Sequence, residues 1–267
     1  MSKGVLVDLT KCIGCGSCYV ACKLYNENKW SDKAPVNGKA AKLADENWTV
    51  VKEYNISRDN CNALRFVKKQ CFHCEHPSCA SACFTSALRK TEEGVIVYRS
   101  NLCVGCRYCM VACPFEIPKF EWGKAFPVVT KCMMCYFRVI NNEKPSCVSV
   151  CPTQVMQYGD RDELLVEAKL RIDSNSAYIK HIYGENEAGG TNWLYLSDVP
   201  FAQLGFKTDI SDKPAAAYTS RYMSLTPILG AAWGLVLTGI YFINKYRKKN
   251  AAEKQMKAND SEGGNNA

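Results

Sequence analysis

Two short β-branched runs, Gly4-Val-Leu-Val7 and Gly94-Val-Ile-Val97, each lead within a few residues into a cysteine-rich stretch, and both predict strands. Thr91-Glu-Glu-Gly94 ahead of the second run predicts a turn. Later in the chain, Asp160 and Glu163 predict a helix start with capping-box character, followed by Leu164, Leu165, Ala168 and Ile172 on one face. From Gly184 to Phe206 the sequence carries Gly189-Gly-Thr191, Trp193 to Leu196 and Val199-Pro-Phe201, read as a strand and loops packed on a partner. Residues 159–222 are therefore expected to be an extension that docks on another subunit.

The strongest apolar pattern is C-terminal. Between Arg221 and Lys245 lie 23 residues without a charge, enough as a helix to cross a hydrocarbon core of about 30 Å. The span is placed at 223–244, with Tyr222, Tyr241, Phe242 and Tyr246 as interfacial aromatics and Pro227 tolerated in a first turn. Lys245, Arg247, Lys248 and Lys249 follow the span while Arg221 stands nearly alone before it, which predicts a cytoplasmic tail at 245–267 and the rest of the chain on the outer, periplasmic face. Gly230, Gly234 and Thr238 share one face, either by chance or as a small-residue seat for another membrane helix. Beyond Ala251 the composition predicts disorder. Neither an apolar leader nor a twin-arginine segment precedes Val5, so export beside a signal-bearing partner is expected.

The cysteines decide the chemistry. Sixteen of seventeen fall into four groups: Cys12, Cys15, Cys18, Cys22; Cys71, Cys74, Cys79, Cys83; Cys103, Cys106, Cys109, Cys113; and Cys132, Cys135, Cys147, Cys151. Only Cys61 is left over. The first and third groups have the spacing C-x2-C-x2-C-x3-C, in which three thiolates hold three corners of an iron–sulfur cubane and the fourth reaches a different one. Zinc suits two separated pairs better, and a disulfide framework belongs to short secreted domains rather than to 267 residues with 47% hydrophobic content.

Repeats within the motifs show how the groups pair. Cys79-Ala-Ser-Ala-Cys83 and Cys147-Val-Ser-Val-Cys151 are two copies of one tail, and the two β-runs head two copies of one lead. A bacterial two-cluster ferredoxin unit needs one tail followed by one lead. Groups two and three supply that order directly; groups four and one supply it only if the N-terminus folds back beside residues 152–158. The expected fold is thus α+β, with two nested two-cluster ferredoxin-like units over 1–158, a partner-facing insertion at 23–70 containing Trp30 and Trp48, and one C-terminal transmembrane helix.

Four [4Fe-4S] clusters follow, with crossed ligand sets: Cys12, Cys15, Cys18 and Cys151; Cys22, Cys132, Cys135 and Cys147; Cys71, Cys74, Cys79 and Cys113; Cys83, Cys103, Cys106 and Cys109. Pro114 and Pro152 follow the last cysteine of groups three and four and turn the chain away from the cluster, whereas Lys23 and Phe84 stand there in groups one and two. Gly14, Gly16 and Gly105 either bring backbone N–H groups near sulfur or simply form tight turns.

The formal charge of +8 treats thiols as neutral. Four oxidised cubanes contribute about −8, so the basic excess compensates the clusters and lends no support to nucleic-acid binding. A catalytic role also lacks residues. Of the histidines His73, His76 and His181, two sit inside the second cysteine group, and no phosphate-cradling loop or nucleophile and base pair is recognisable. With four cysteines per cubane, no iron is left open for substrate.

The four-group order, Gln70-Cys-Phe-His-Cys-Glu-His-Pro77, Cys106-Arg-Tyr-Cys-Met-Val-Ala-Cys-Pro114 and Gly189-Gly-Thr191 before the span resemble the iron–sulfur beta subunit of membrane-bound respiratory formate dehydrogenases. They are also similar to the equivalent subunit of periplasm-facing uptake nickel–iron hydrogenases. The resemblance implies a four-cubane wire between a catalytic subunit, carrying molybdenum or tungsten or else nickel–iron, and a quinone-reactive integral membrane subunit, with membrane lipid around the span. It places the half built from groups one and four beside the catalytic subunit. The formate dehydrogenase type is preferred because its members carry no export signal of their own.

Overall fold

The run Val5-Leu-Val7 is apolar on consecutive positions because its strand is covered on both faces, where an alternating pattern would leave one face wet. In a computed structural model, which describes residues 2–30, 35–58, 61–125 and 127–263, all three side chains are fully buried. In chain order the elements are β1 (Lys3–Asp8), α1 (Ser17–Asn26), β2 (Asn37–Gly38), β3 (Val50–Arg58), β4 (Cys61–Lys69), α2 (Ser78–Ser81), β5 (Leu88–Lys90), β6 (Ile96–Tyr98) and α3 (Tyr108–Ala112). There follow β7 (Lys119–Phe120), β8 (Val129–Thr130), α4 (Tyr136–Ile140), α5 (Ser146–Ser149), β9 (Met156–Asp160), α6 (Arg161–Ser174), β10 (Trp193–Leu196) and α7 (Ala215–Gly263).

β1 is the middle strand of a three-stranded sheet. On one side it pairs antiparallel with β9, from Lys3 opposite Asp160 to Val7 opposite Met156. On the other it pairs parallel with β10, from Val5 opposite Trp193 to Asp8 opposite Leu196. The N-terminal run therefore lies beside the segment that follows Cys151. The second run forms its own antiparallel ribbon, with β5 and β6 joined through Thr91 to Val95; the Gly94 N–H donates to Thr91 O at 3.0 Å. Gly94 has a φ of +83°, and a Cβ there would meet Ser2 Oγ and Asn192 Nδ2 well inside normal contact distance.

The two faces of the β1 sheet carry different layers. Val5, Val7, Trp193 and Tyr195 face the main core with Phe72, Met134 and Met156. Leu6, Leu194 and Leu196 face α6, which presents Leu164 and Ala168 with Leu165 and Ile172 at the margin. The expected apolar face of α6 thus packs as predicted. Its capping box does not form: Asp160 stands at the N-cap without a side-chain cap bond, because its carboxylate pairs with Lys3 Nζ at 2.9 Å.

The expectation that 184–206 packs on a partner is corrected for its strand. All four residues of β10 are fully buried within this chain, and Phe201, Leu204 and Phe206 close over Tyr183 and Tyr195. A strand of large apolar and aromatic side chains has to be covered on both faces, and here the chain's own main core and α6 cover it.

The 23–70 insertion is likewise more internal than expected. It forms the long β3–β4 hairpin, in register from Val50 opposite Lys69 to Arg58 opposite Cys61. At its base Val50, Val51, Val67 and Lys68 are buried, while Leu64 and Trp30 are exposed. Arg65 binds Asp198 through two hydrogen bonds, at 3.0 and 2.5 Å, fastening the hairpin to the loop after β10.

α7 contains a stretch long and apolar enough to cross a membrane by length and composition. It starts at Ala215, directly after Pro214, so Pro227 lies in the helix interior and not in a first turn. Membrane helices tolerate such a proline. The helix runs on through Gly263 where disorder was expected, since Ala251 to Ala258 is rich in alanine, lysine and other helix-forming residues. Residues 264–267 of the expected tail lie outside the described residues.

Candidate functional site

All sixteen grouped cysteines are free thiols. Cys12, Cys15, Cys18 and Cys151 line one cavity together with Gly14, Val51, Lys68 and Met156. Cys83, Cys103, Cys106 and Cys109 line another, beside Tyr98 and Val129. The remaining two sets are drawn together in the same way. The charges of Cys132, Cys147 and Cys135 all act on Cys22, and those of Cys71, Cys113 and Cys79 all act on Cys74.

Each set takes its fourth member from a different cysteine group, because of the strand pairing described above. β1 beside β9 carries Cys12 toward Cys151, and the β5–β6 ribbon carries Cys83 toward Cys103. The four sets also adjoin one after another. Cys18 of the Cys12 set interacts with Cys147 of the Cys22 set, Cys132 of that set with Cys71, and Cys79 of the Cys71 set with Cys109 of the Cys83 set. Cys15 and Cys106, at the two ends, are exposed, while Cys22, Cys132, Cys135 and Cys147 in the second set are all buried.

A common backbone turn builds every site. The second residue between the first two cysteines of each group is left-handed: Gly14 at φ +70°, His73 at +49°, Gly105 at +71° and Met134 at +49°. Glycine takes this conformation freely, whereas His73 and Met134 adopt it at a cost of about 1 kcal/mol each. The turn aims main-chain N–H groups at sulfur, with Gly105 donating to Cys103 Sγ at 3.4 Å and Met134 to Cys132 Sγ at 3.3 Å. The expectation for Gly105 holds, and Gly14 makes the equivalent bond to Cys12. Gly16 serves differently, as the left-handed N-cap of α1.

A second turn follows the last cysteine in three groups, with Ser86, Glu116 and Gln154 left-handed and their N–H groups donating to the carbonyls of Cys83, Cys113 and Cys151. Phe84 therefore makes the turn without a proline. After Cys22 there is no such turn: α1 runs on to Asn26 with Lys23 buried, and Asn26 Nδ2 donates to Cys22 Sγ at 3.5 Å.

Electrostatics test whether these thiols fit an iron–sulfur core. Burial pushes the Cys18, Cys79 and Cys132 thiols up to about 12 and Cys109 up to about 11. At Cys83 burial also works upward, but N–H and hydroxyl donors led by Leu88 outweigh it and hold the thiol below its ordinary value. Thiolates this deeply buried need a cation, which iron supplies. Among the described residues, no three Cys, His, Asp or Glu side chains converge closely enough to hold a single metal ion. Zinc would draw four sulfurs to within about 2.3 Å of one point. Thiols standing around a cavity match a larger inorganic core.

Buried donors fit the same core. His73 is fully buried; its Nδ1 accepts from the Ile96 N–H at 2.9 Å, so Nε2 carries the proton, and Nε2 has no partner among the described residues. Burial, with the charges of Lys131 and Lys68, holds the imidazole neutral. A cluster sulfur would satisfy this orphaned N–H.

Two buried lysines were not foreseen from the sequence. Lys131 Nζ donates to the carbonyls of Ile96 and Cys132, and its charge acts on Cys79. Lys68 lines the Cys12 cavity, and its charge acts on the Cys22 set as well. Burial lowers the Lys68 pKa, but Cys147, Cys18, Cys132 and Cys22 together outweigh burial and raise it. The available signal was position: each lysine stands one to three residues ahead of a cysteine group.

Fold and thiol geometry together define a ferredoxin-like protein that binds several [4Fe-4S] clusters, and the comparisons agree. Residues 62–161 match a 4Fe-4S dicluster domain, and residues 3–24 match a 4Fe-4S binding domain. A protein of Nitratidesulfovibrio vulgaris is 43% identical over 96% of this chain and 70% of its own length. The hydrogenase-2 operon protein HybA of Escherichia coli O157:H7 is 34% identical, over 76% of this chain and 72% of its own. The nitrate-inducible formate dehydrogenase iron-sulfur subunit of Escherichia coli K12 is 30% identical, over 89% and 82%. The chain belongs to this family of four-cluster ferredoxin-like iron–sulfur subunits.

Crossed sets make a specific prediction. Cys15→Ala and Cys151→Ala, although 136 positions apart in the sequence, should each remove the same cluster signal in electron paramagnetic resonance. The double variant should lose no more iron than either single one, about four atoms per chain. Loss of two different signals would contradict the crossing.

Proposed function

We propose that the chain is the non-catalytic electron-transfer subunit of a membrane-bound oxidoreductase complex, passing electrons along four [4Fe-4S] sites held by the Cys12, Cys22, Cys71 and Cys83 sets. The observation that carries this reading is the succession of four adjoining thiol sets, with Cys15 exposed in the first and Cys106 in the last. When bound, a cubane of this kind exchanges one electron at a time with its neighbours. The protein's part is to fix the sites in sequence, to supply N–H donors that stabilise charge on sulfur, and to exclude water from the middle of the path. With four thiols assigned to each site, no corner is left for substrate, and bond chemistry belongs to a partner.

The architecture is read as two nested two-cluster units. The β5–β6 ribbon with groups two and three forms the inner one, and the β1–β9 pairing with groups one and four closes the outer one around it. The antiparallel register of both ribbons supports this division.

The Cys12 end is assigned to a catalytic subunit of formate dehydrogenase type, carrying molybdenum or tungsten. A nickel–iron hydrogenase partner is the second reading, favoured by the 34% identity to HybA. The Cys83 end is assigned to a quinone-reactive membrane subunit, and α7 to the surrounding lipid. The positive flank Lys245 to Lys249 supports a cytoplasmic C-terminus and a periplasmic iron–sulfur domain.

In the complete complex, Cys109→Ser should reduce quinone reduction to near background while leaving the catalytic partner's soluble-dye activity intact. Undiminished quinone reduction would contradict a linear path. For orientation, a membrane-impermeant thiol reagent applied to intact cells should label a cysteine introduced at Lys42 and not one introduced at Glu253; the reverse pattern would invert the topology.

A further inference from the structure

Lys68 is the least expected charge in the molecule. Its side chain is buried at the base of β4, and among the described residues no carboxylate pairs with it. Among the described residues Nζ has one hydrogen-bond acceptor, Gln70 Oε1 at 2.9 Å, and it lies 4.3 Å from the centroid of the Trp193 ring. Gln70 is itself fixed, because its Nε2 donates to Tyr195 Oη at 2.7 Å while that hydroxyl donates to the Lys68 carbonyl at 3.2 Å. Trp193, Tyr195 and Gln70 are all fully buried, so the ammonium is held in one place by rigid neighbours.

A buried ammonium without a counter-ion is strongly disfavoured, and one neutral acceptor does not offset its loss of water. The ionisable groups its charge acts on are mainly sulfurs, with the neutral His73 among them. Lys68 lines the cavity of the Cys12 set, and its charge reaches Cys18, Cys22, Cys132, Cys135 and Cys147 across the boundary with the Cys22 set. Lys131, by contrast, donates to two carbonyls, one of them that of Cys132, beside the Cys71 set. Of these two lysines, Lys68 alone is free of carbonyl acceptors among the described residues and set between two sites.

We propose that Lys68 is a positioning residue shared by the first two sites, whose fixed positive charge raises the reduction potentials of both clusters together. A positive charge stabilises the reduced, more negative form of each core, so it favours electrons resting on this pair. Gln70, Tyr195 and Trp193 fix the ammonium where both sites share it. The inference rests on the four-cluster reading.

The test is a redox titration followed by electron paramagnetic resonance on the complete complex, comparing wild type with Lys68→Met, Lys68→Gln and Lys68→Arg, each assayed for iron and sulfide. Wild type containing about sixteen irons secures the cluster reading independently. In the neutral variants two of the four signals should move to lower potential, by at least tenfold in reduced-to-oxidised ratio, about 59 mV for one electron. The other two signals should stay in place, and Lys68→Arg should remain near wild type. Loss of iron from two sites in both neutral variants, but not in Lys68→Arg, would make the charge a requirement for cluster retention and would overturn its assignment to the potentials. Unchanged potentials in a fully loaded neutral variant would overturn the proposal. So would Lys68→Arg behaving like Lys68→Met.

Discussion

Sulfur charge buried away from water is the constraint around which this molecule is organised. A thiolate in an apolar interior is costly, and burial, ahead of the neighbouring sulfurs, drives Cys18, Cys79 and Cys132 up to about 12. Three features answer that cost. Iron neutralises most of the charge, left-handed turns point backbone N–H groups at sulfur, and the buried ammoniums of Lys68 and Lys131 supply fixed positive charge. The sequence's +8 balance reflects the same requirement on the scale of the whole chain.

Strand pairing converts that local chemistry into a path. The last cysteine of each group stands with three thiols of another group, so the sets depend on long-range pairing. The β5–β6 ribbon joins groups adjacent in sequence, while β1 between β9 and β10 joins the N-terminus to residues about 150 and 190 positions later. Burying β1 on both faces is what holds this long-range closure, and it explains why Val5, Leu6 and Val7 are all apolar.

The cysteine groups, their repeated tails and leads, and the long apolar stretch in α7 were legible because spacing and composition carry them directly. The left-handed turns at Gly14 and Gly105 were legible for the same reason. At His73 and Met134 the identical turn is hidden, since neither residue advertises a positive φ. β10 was recognised as a strand, but its covering layer was not, because a run such as Trp-Leu-Tyr-Leu looks the same whether its own fold or another subunit buries it. The base of the β3–β4 hairpin and Lys68 were missed because a lysine in a polar stretch reads as exposed. Only the tertiary placement of Val51 and Trp193 beside it shows otherwise. Pro227 was read too near a helix start, because the helix-forming Ala215 to Ala217 had not been counted into α7.

The central claim is that these sixteen thiols hold inorganic iron–sulfur cores. Iron and acid-labile sulfide determined on the anaerobically purified complex, corrected for what the partner subunits bind, test it most directly. About sixteen of each per chain are expected from four cubanes. A brown-coloured partner beside a colourless subunit containing a few zinc ions and no sulfide would contradict it.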